Sequence, residues 1–208
     1  VVTGWLDLRA AHWLLSAVAS FGVIVLVVIF QPEIRDALDK LGSTVFDLRS
    51  GGRSGHAALT NTINEVVEAA CQIAQQEKDG ALIILEGSTR LGEFEKSGIA
   101  LDARVSSSLL TNIFVDRSPL HDGAVIIRQG RILGAGCMLP LSKNVNLSRD
   151  LGMRHRAGIG MSENSDAVVV IVSEETGSIS VAIGGMLKRH LMPETLSKLL
   201  RNERHVKK

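Results

Sequence analysis

Ala124-Val125-Ile126-Ile127-Arg128, then Gln129-Gly130, then Arg131-Ile132-Leu133-Gly134-Ala135-Gly136-Cys137-Met138 is the stretch that decides the fold. Two apolar, β-rich runs separated by a two-residue turn signal predict a hairpin. Upstream, Ala81-Leu82-Ile83-Ile84-Leu85 is wholly apolar and too short for a typical helix, so it reads as a central strand. Downstream, 167–172 and 179–183 form a second strand pair around Glu174-Glu175-Thr176-Gly177. Helical patterns lie between and around these strands. Thr60 is placed to cap a helix with an apolar stripe of Ile63, Val66, Val67, Ala70, Ile73 and Ala74, which ends before Lys78-Asp79-Gly80. Residues 106–114 read as a second helix, and Pro193 suits the first position of a closing helix over 194–201. The pattern predicts an α/β (α+β) domain, with a mixed central sheet flanked by helices.

The chain has 208 residues and a formal net charge of +1, with 23 basic and 22 acidic side chains, which gives no global electrostatic case for a nucleic-acid partner. Cys71 and Cys137 lie in apolar patterns without metal-ligand spacing and read as reduced core thiols, in keeping with a cytosolic main domain. The N-terminal region departs from this soluble character, because Ala10 to Pro32 carries no formal charge. Such a run is long enough to span a bilayer, for which about 20 apolar residues suffice. We therefore expect a transmembrane helix over 10–31. An amphipathic extension with Ile34, Leu38 and Leu41 on one face and a Gly/Ser-rich linker at 49–55 follow within 32–57, and the main domain occupies 58–205. Arg9 lies before the span, and Arg35, Lys40, Arg49 and Arg53 lie after it, so the positive-inside rule predicts a cell-membrane protein whose main domain is cytoplasmic.

Three clusters carry chemistry. Asp122 precedes Gly123 and Ala124 at the start of the first hairpin strand, where a tight turn lets the carboxylate point outward and leaves backbone N–H groups open to an anion. One aspartate suffices for a metal ion that arrives on nucleotide phosphates, and His121 beside it is a second metal candidate. Taken alone, Asp-Gly is equally a common turn pair. Arg154-His155-Arg156 follows Gly152 and Met153 and precedes small or apolar residues, as at the start of a packed helix, where N–H groups, dipole and guanidinium groups would hold phosphate together. By itself it is equally a solvated basic turn. Ser173-Glu174-Glu175 ends a strand and is either a polar rim to the same site or an ordinary hairpin turn.

The blocks 79–86, 118–127, 139–142, 154–157 and 172–177 together resemble, in order and spacing, the diadenylate cyclase domain (the DAC or DisA N-terminal family). The segment 27–33 is similar to the last membrane helix of its membrane-bound CdaA-type branch. The resemblance implies condensation of two ATP into cyclic di-AMP with release of two pyrophosphates, by a homodimer in which two protomers face each other, with Mn²⁺ or Mg²⁺ as cofactor. Carried over residue by residue, it makes Asp122 a metal ligand that helps activate the attacking hydroxyl, with His121 beside it. Gly123 and Ala124 would line the substrate, and Arg154, His155 and Arg156 would organise the phosphates. Ser173, Glu174 and Glu175 would add polar contacts, while Met138 and Leu139 would border adenine. Two departures bear on affinity: Met153 stands where the family commonly has threonine, and Met138 where some relatives have tyrosine. The resemblance also implies a YbbR-domain regulator and phosphoglucosamine mutase as partners. The competing readings are a non-catalytic adenine-nucleotide sensor on a membrane anchor and a membrane scaffold with an incidental loop.

Overall fold

The computed structural model describes residues 12–13, 21–22, 25, 52–76, 79–145, 147–148 and 150–206. The chain divides into two units, 1–52 and 53–208. In the first, residues 12, 13, 21, 22 and 25 are helical, and Trp13, Phe21 and Val25 are exposed. Most of the expected membrane span and all of the amphipathic extension lie outside the described residues, and among the described residues no helix is long and apolar enough to cross a membrane.

The second unit runs α1 (Gly52–Ala74), β1 (Ala81–Leu85), α2 (Gly92–Glu95), β2 (Ile99–Arg104), α3 (Ser107–Ile113), β3 (Ala124–Arg128), β4 (Arg131–Cys137), α4 (Met153–Asn164), β5 (Val168–Val172), β6 (Ile179–Ile183), β7 (Met186–Lys188) and α5 (Pro193–Val206). The seven strands form one sheet in the order β2-β4-β3-β1-β5-β6-β7. β1 and β3 are parallel, with Ile84 opposite Ile126, and every other pairing is antiparallel.

β1 and β5 are continuously apolar because both faces of the sheet are covered. Alternation sends Ala81, Ile83 and Leu85 toward the face covered by α1, α3 and α5, where Ile63, Val66, Leu110, Phe114, Leu196 and Leu200 meet them. Leu82 and Ile84 face the other way, toward Ala157, Ile159 and Met161 of α4. The hairpin forms as expected: Gln129 and Gly130 both have positive φ, 48° and 78°, as a two-residue type I′ turn requires. α3 starts after Ser106, whose hydroxyl accepts a hydrogen bond from the Leu109 N–H at 3.3 Å, and α5 starts at Pro193.

Two expectations are corrected. Thr60 is not a helix cap, because α1 begins eight residues earlier and takes Gly52–Gly55 out of the expected linker. β2, β7 and the short α2 had no counterpart in the sequence reading; β2 and β7 are edge strands with largely exposed side chains.

At the C-terminal end of β1 the fully buried Glu86 carboxylate accepts from Arg128 Nε at 2.5 Å and Nη2 at 2.8 Å, from Arg90 Nη1 at 3.0 Å and from the Leu91 N–H at 3.1 Å. This pairing raises the Arg128 pKa above its ordinary value, chiefly through the hydrogen bond to Glu86. Glu86→Ala would strip two arginines of their shared partner. We expect a loss of about 2–4 kcal/mol, discounted because both guanidinium groups reach solvent, and a fall in Tm of roughly 5–15 °C by calorimetry. An unchanged Tm would show the network to be energetically idle.

Candidate functional site

A cleft of about 770 Å³ opens at the end of the sheet opposite Glu86, where β3 begins, β4 and β5 end, and α4 starts. Four segments converge on it. The turn before β3 brings His121, Asp122 and Gly123, and the end of β4 brings Cys137 and Met138, with Leu139 and Leu141 following. The start of α4 brings Gly152, Met153, Arg154 and His155, and the turn after β5 brings Ser173, Glu174 and Glu175. Sequence reasoning had singled out most of these residues in separate places, and the fold collects them.

Gly123 has φ 111°, and a Cβ there would lie 2.6 Å from the Gly136 carbonyl carbon and 2.9 Å from the Cys137 carbonyl oxygen. Only glycine lets the turn lie this close to β4, and the β3–β4 register shifts at the same place. Asp122 is thereby left exposed at the cleft. His121 Nδ1 lies 2.6 Å from the Ser118 carbonyl oxygen. A carbonyl oxygen only accepts, so Nδ1 carries a proton, and in the neutral ring Nε2 is the nitrogen left to accept or to bind a metal. Among the described residues no group of three or more His, Cys, Asp or Glu could hold a metal ion. An ion held by one or two side chains alone would have to take its remaining ligands from a substrate or water.

α4 starts at Gly152 with no side-chain cap, so the N–H groups of its first turn remain open to an anion. Arg154 leans over Gly80, where a Cβ would come within 2.8 Å of Nη1, and makes an ion pair with Glu174. His155 is buried, and its Nε2 has no hydrogen-bond partner among the described residues. Burial, and secondarily the charge of Arg189, push its pKa below the ordinary histidine value, against opposing effects of Asp150 and Glu175. A depressed histidine pKa means that the unfolded chain binds the proton first. Stability is complete above the ordinary value near 6.5 and falls as pH drops below it toward the folded-state value. His155→Gln is expected to flatten the dependence of Tm on pH between about 6.5 and 5; an unaltered slope would remove His155 as its source.

Two of the expected residues are not in the lining. Ala124 is fully buried in the sheet, and Arg156 is half-buried. Successive helical residues turn about 100°, so Arg154 and Arg156 leave α4 in nearly opposite directions. Six lining residues were not among the expected site residues. Leu82 was read only as part of a strand and Cys137 only as a core thiol, Leu141 only as part of a family block, and Gly152 and Ala157 only as the small residues around the basic triplet. Asp150, which accepts from Arg189 Nη1 at 2.9 Å, pairs with a residue too distant in sequence to signal it. Both cysteines are free. Cys137 is buried in the cleft floor, and burial pushes its thiol pKa up to about 11, while Cys71 is half-buried.

A family model described as DisA bacterial checkpoint controller nucleotide-binding matches residues 68–187. The chain is 43% identical over 199 residues to the cyclic di-AMP synthase CdaA of Bacillus subtilis, covering 96% of this chain and 72% of that protein. It superposes on the crystal structure of a DacA double mutant from Staphylococcus aureus with a TM-score of 0.66 and 44% identity, over 68% of this chain and 94% of that one. A structure described as a hypothetical membrane spanning protein from Bacillus cereus gives a TM-score of 0.60 and 40% identity, over 62% of this chain and 63% of that one.

Proposed function

The chain belongs to the diadenylate cyclase family and is an enzyme of that class, and on this premise we propose that it condenses two ATP into cyclic di-AMP and two pyrophosphates between two facing protomers. The observation that carries the reading is the convergence in one cleft of the Asp122 turn, the uncapped start of α4 with Arg154, and the Ser173–Glu175 turn. In each half-reaction a ribose 3′-hydroxyl attacks the α-phosphorus of the opposite ATP. The α–β P–O bond breaks, pyrophosphate leaves and the hydroxyl proton is lost. Two such attacks close the ring.

Reactions of this kind depend on positioning and charge neutralisation. In this reading Arg154 and the open N–H groups of α4 bind phosphate oxygens, neutral His155 hydrogen-bonds beside them, and Arg156 supports the same end from the helix's other side. Ser173, Glu174 and Glu175 form the polar rim, with Met138 and Leu139 along the adenine and Met153 at the mouth. A divalent ion, Mn²⁺ or Mg²⁺, would be held by Asp122 and His121 and would neutralise charge at the reacting phosphate. A single protomer holds one nucleotide, so a monomer is inactive.

The reading extends to the membrane. Exposed Trp13, Phe21 and Val25 suit a lipid-covered helix over 10–31, joined through 32–57 to a catalytic domain over 58–205 on the cytoplasmic side. A YbbR-domain protein and phosphoglucosamine mutase are the proposed regulatory partners. The test is incubation of the full chain, in detergent, with ATP and Mn²⁺ or Mg²⁺, with products identified by mass spectrometry. Cyclic di-AMP supports the reading. ATP binding without product would favour an adenine-nucleotide sensor.

A further inference from the structure

Residues 138–142 cross from the end of β4 to the flank of α4 as a strap, and both of its ends are pinned. At one end the Met138 N–H donates to Ser97 Oγ at 2.9 Å, and Ser97 in turn donates to the Phe94 carbonyl at 2.6 Å. At the other end Ser142, which is buried, donates its N–H to the Arg156 carbonyl at 3.0 Å and its hydroxyl to Glu163 at 2.7 Å. The Asn144 N–H donates back to the same hydroxyl at 3.3 Å. Between the pins the strap presses on α4. A Cβ on Gly160 would lie 2.3 Å from the Pro140 carbonyl oxygen and 2.6 Å from the Ser142 nitrogen.

α4 therefore carries two things on one rigid rod. Its first turn holds Arg154 and His155, and from Arg156 through Gly160 to Glu163 it holds the strap that puts Met138, Leu139 and Leu141 along the cleft. Met138 is exposed and cannot fix its own position by packing. We propose that Ser142 and Glu163 are positioning residues: by fastening the strap to α4 they set the distance between the wall that borders the base and the end that holds the phosphates. This rests on the reading above that Met138 and Leu139 border adenine. The consequence is selective. Loosening the clamp misplaces the base wall and leaves the phosphate end intact.

The experiment measures, on the full chain with Mn²⁺, Kd for ATP and for inorganic tripolyphosphate, and kcat and KM for ATP. The variants are Ser142→Ala, Glu163→Ala, Glu163→Gln and Met138→Ala. Ser142→Ala and Glu163→Ala are expected to raise Kd and KM for ATP about tenfold, with tripolyphosphate affinity kept within about twofold. Retained tripolyphosphate binding also shows that the variants fold. Glu163→Gln keeps an acceptor oxygen and is expected to behave as the parent. If Met138→Ala weakens ATP binding while Ser142→Ala and Glu163→Ala do not, the positioning role is overturned and the base-wall reading stands. If Met138→Ala leaves ATP affinity unchanged, the base-wall reading itself fails. Equal damage from Glu163→Gln and Glu163→Ala, or parallel loss of tripolyphosphate binding, would overturn the clamp.

Discussion

Asp122→Asn is expected to lower cyclic di-AMP formation by at least about a thousandfold while Tm stays within about 2 °C of the parent. The substitution removes one charge and almost no volume. Asp122 is exposed at a turn whose shape is fixed by Gly123 against Gly136 and Cys137, so stability does not depend on its carboxylate. Its chemistry does. Among the described residues no group of three His, Cys, Asp or Glu could hold an ion, and two of the cleft's other carboxylates, Glu174 and Asp150, are paired with arginines, so in the proposed reading the Asp122 carboxylate holds the cation against the phosphates. Asparagine leaves a neutral carbonyl, a far weaker ligand for Mg²⁺ or Mn²⁺, and His121 Nε2 alone is a poor site for either ion. The check is initial rates by mass spectrometry beside a thermal melt, with ATP affinity measured with and without metal. Activity above about a tenth of the parent would remove Asp122 from the metal role, as would an undiminished metal dependence of ATP binding.

The parts of this fold that were legible in the sequence are those where burial imposes one pattern. β1 and β5, and β3 up to Ile127, are covered on both faces, so these residues are apolar throughout, and the Gln129-Gly130 turn has the residues its backbone needs. β2 and β7 were illegible for the complementary reason. At the sheet's edges their side chains alternate between solvent and partial cover, and Asp102 with φ 44° interrupts β2. The start of α1 was misread because Gly52, Ser54 and Gly55 are poor helix formers. Helix propagation from the strongly amphipathic segment after Leu59 carries them.

Read from the residues alone, the candidate site was legible as separate triplets, which the family resemblance joined into one nucleotide site without the contacts that build it. Nothing in the sequence shows that Gly80 is bare so that Arg154 can lie over it, that Asp150 meets Arg189, or that Ser142 fastens a strap to Glu163. Each of these is a contact between elements far apart in the chain. The triplet 154–156 also hides a distinction that only a helix makes, since its first residue, Arg154, lines the cleft and its third, Arg156, does not.

That distinction makes Arg154 the side chain whose loss we expect to weigh most after Asp122. Arg154→Ala is expected to lower kcat/KM by about 10²–10³, with KM rising and kcat falling together, because in the proposed reading the guanidinium holds phosphate oxygens both before and during attack. Two effects add. The guanidinium fork proposed to hold phosphate is lost, and Glu174, whose ion-pair partner disappears, is left as an uncompensated carboxylate at the cleft. Arg154→Lys restores the charge without the planar fork and is expected to recover less than about a tenth of the lost kcat/KM. Steady-state kinetics on the two variants, with tripolyphosphate affinity as the companion measurement, decides between the possible roles. A lysine variant equal to the parent would reduce Arg154 to a point charge. An alanine variant with parent kcat/KM would mean that the open N–H groups of α4 hold the phosphates without it.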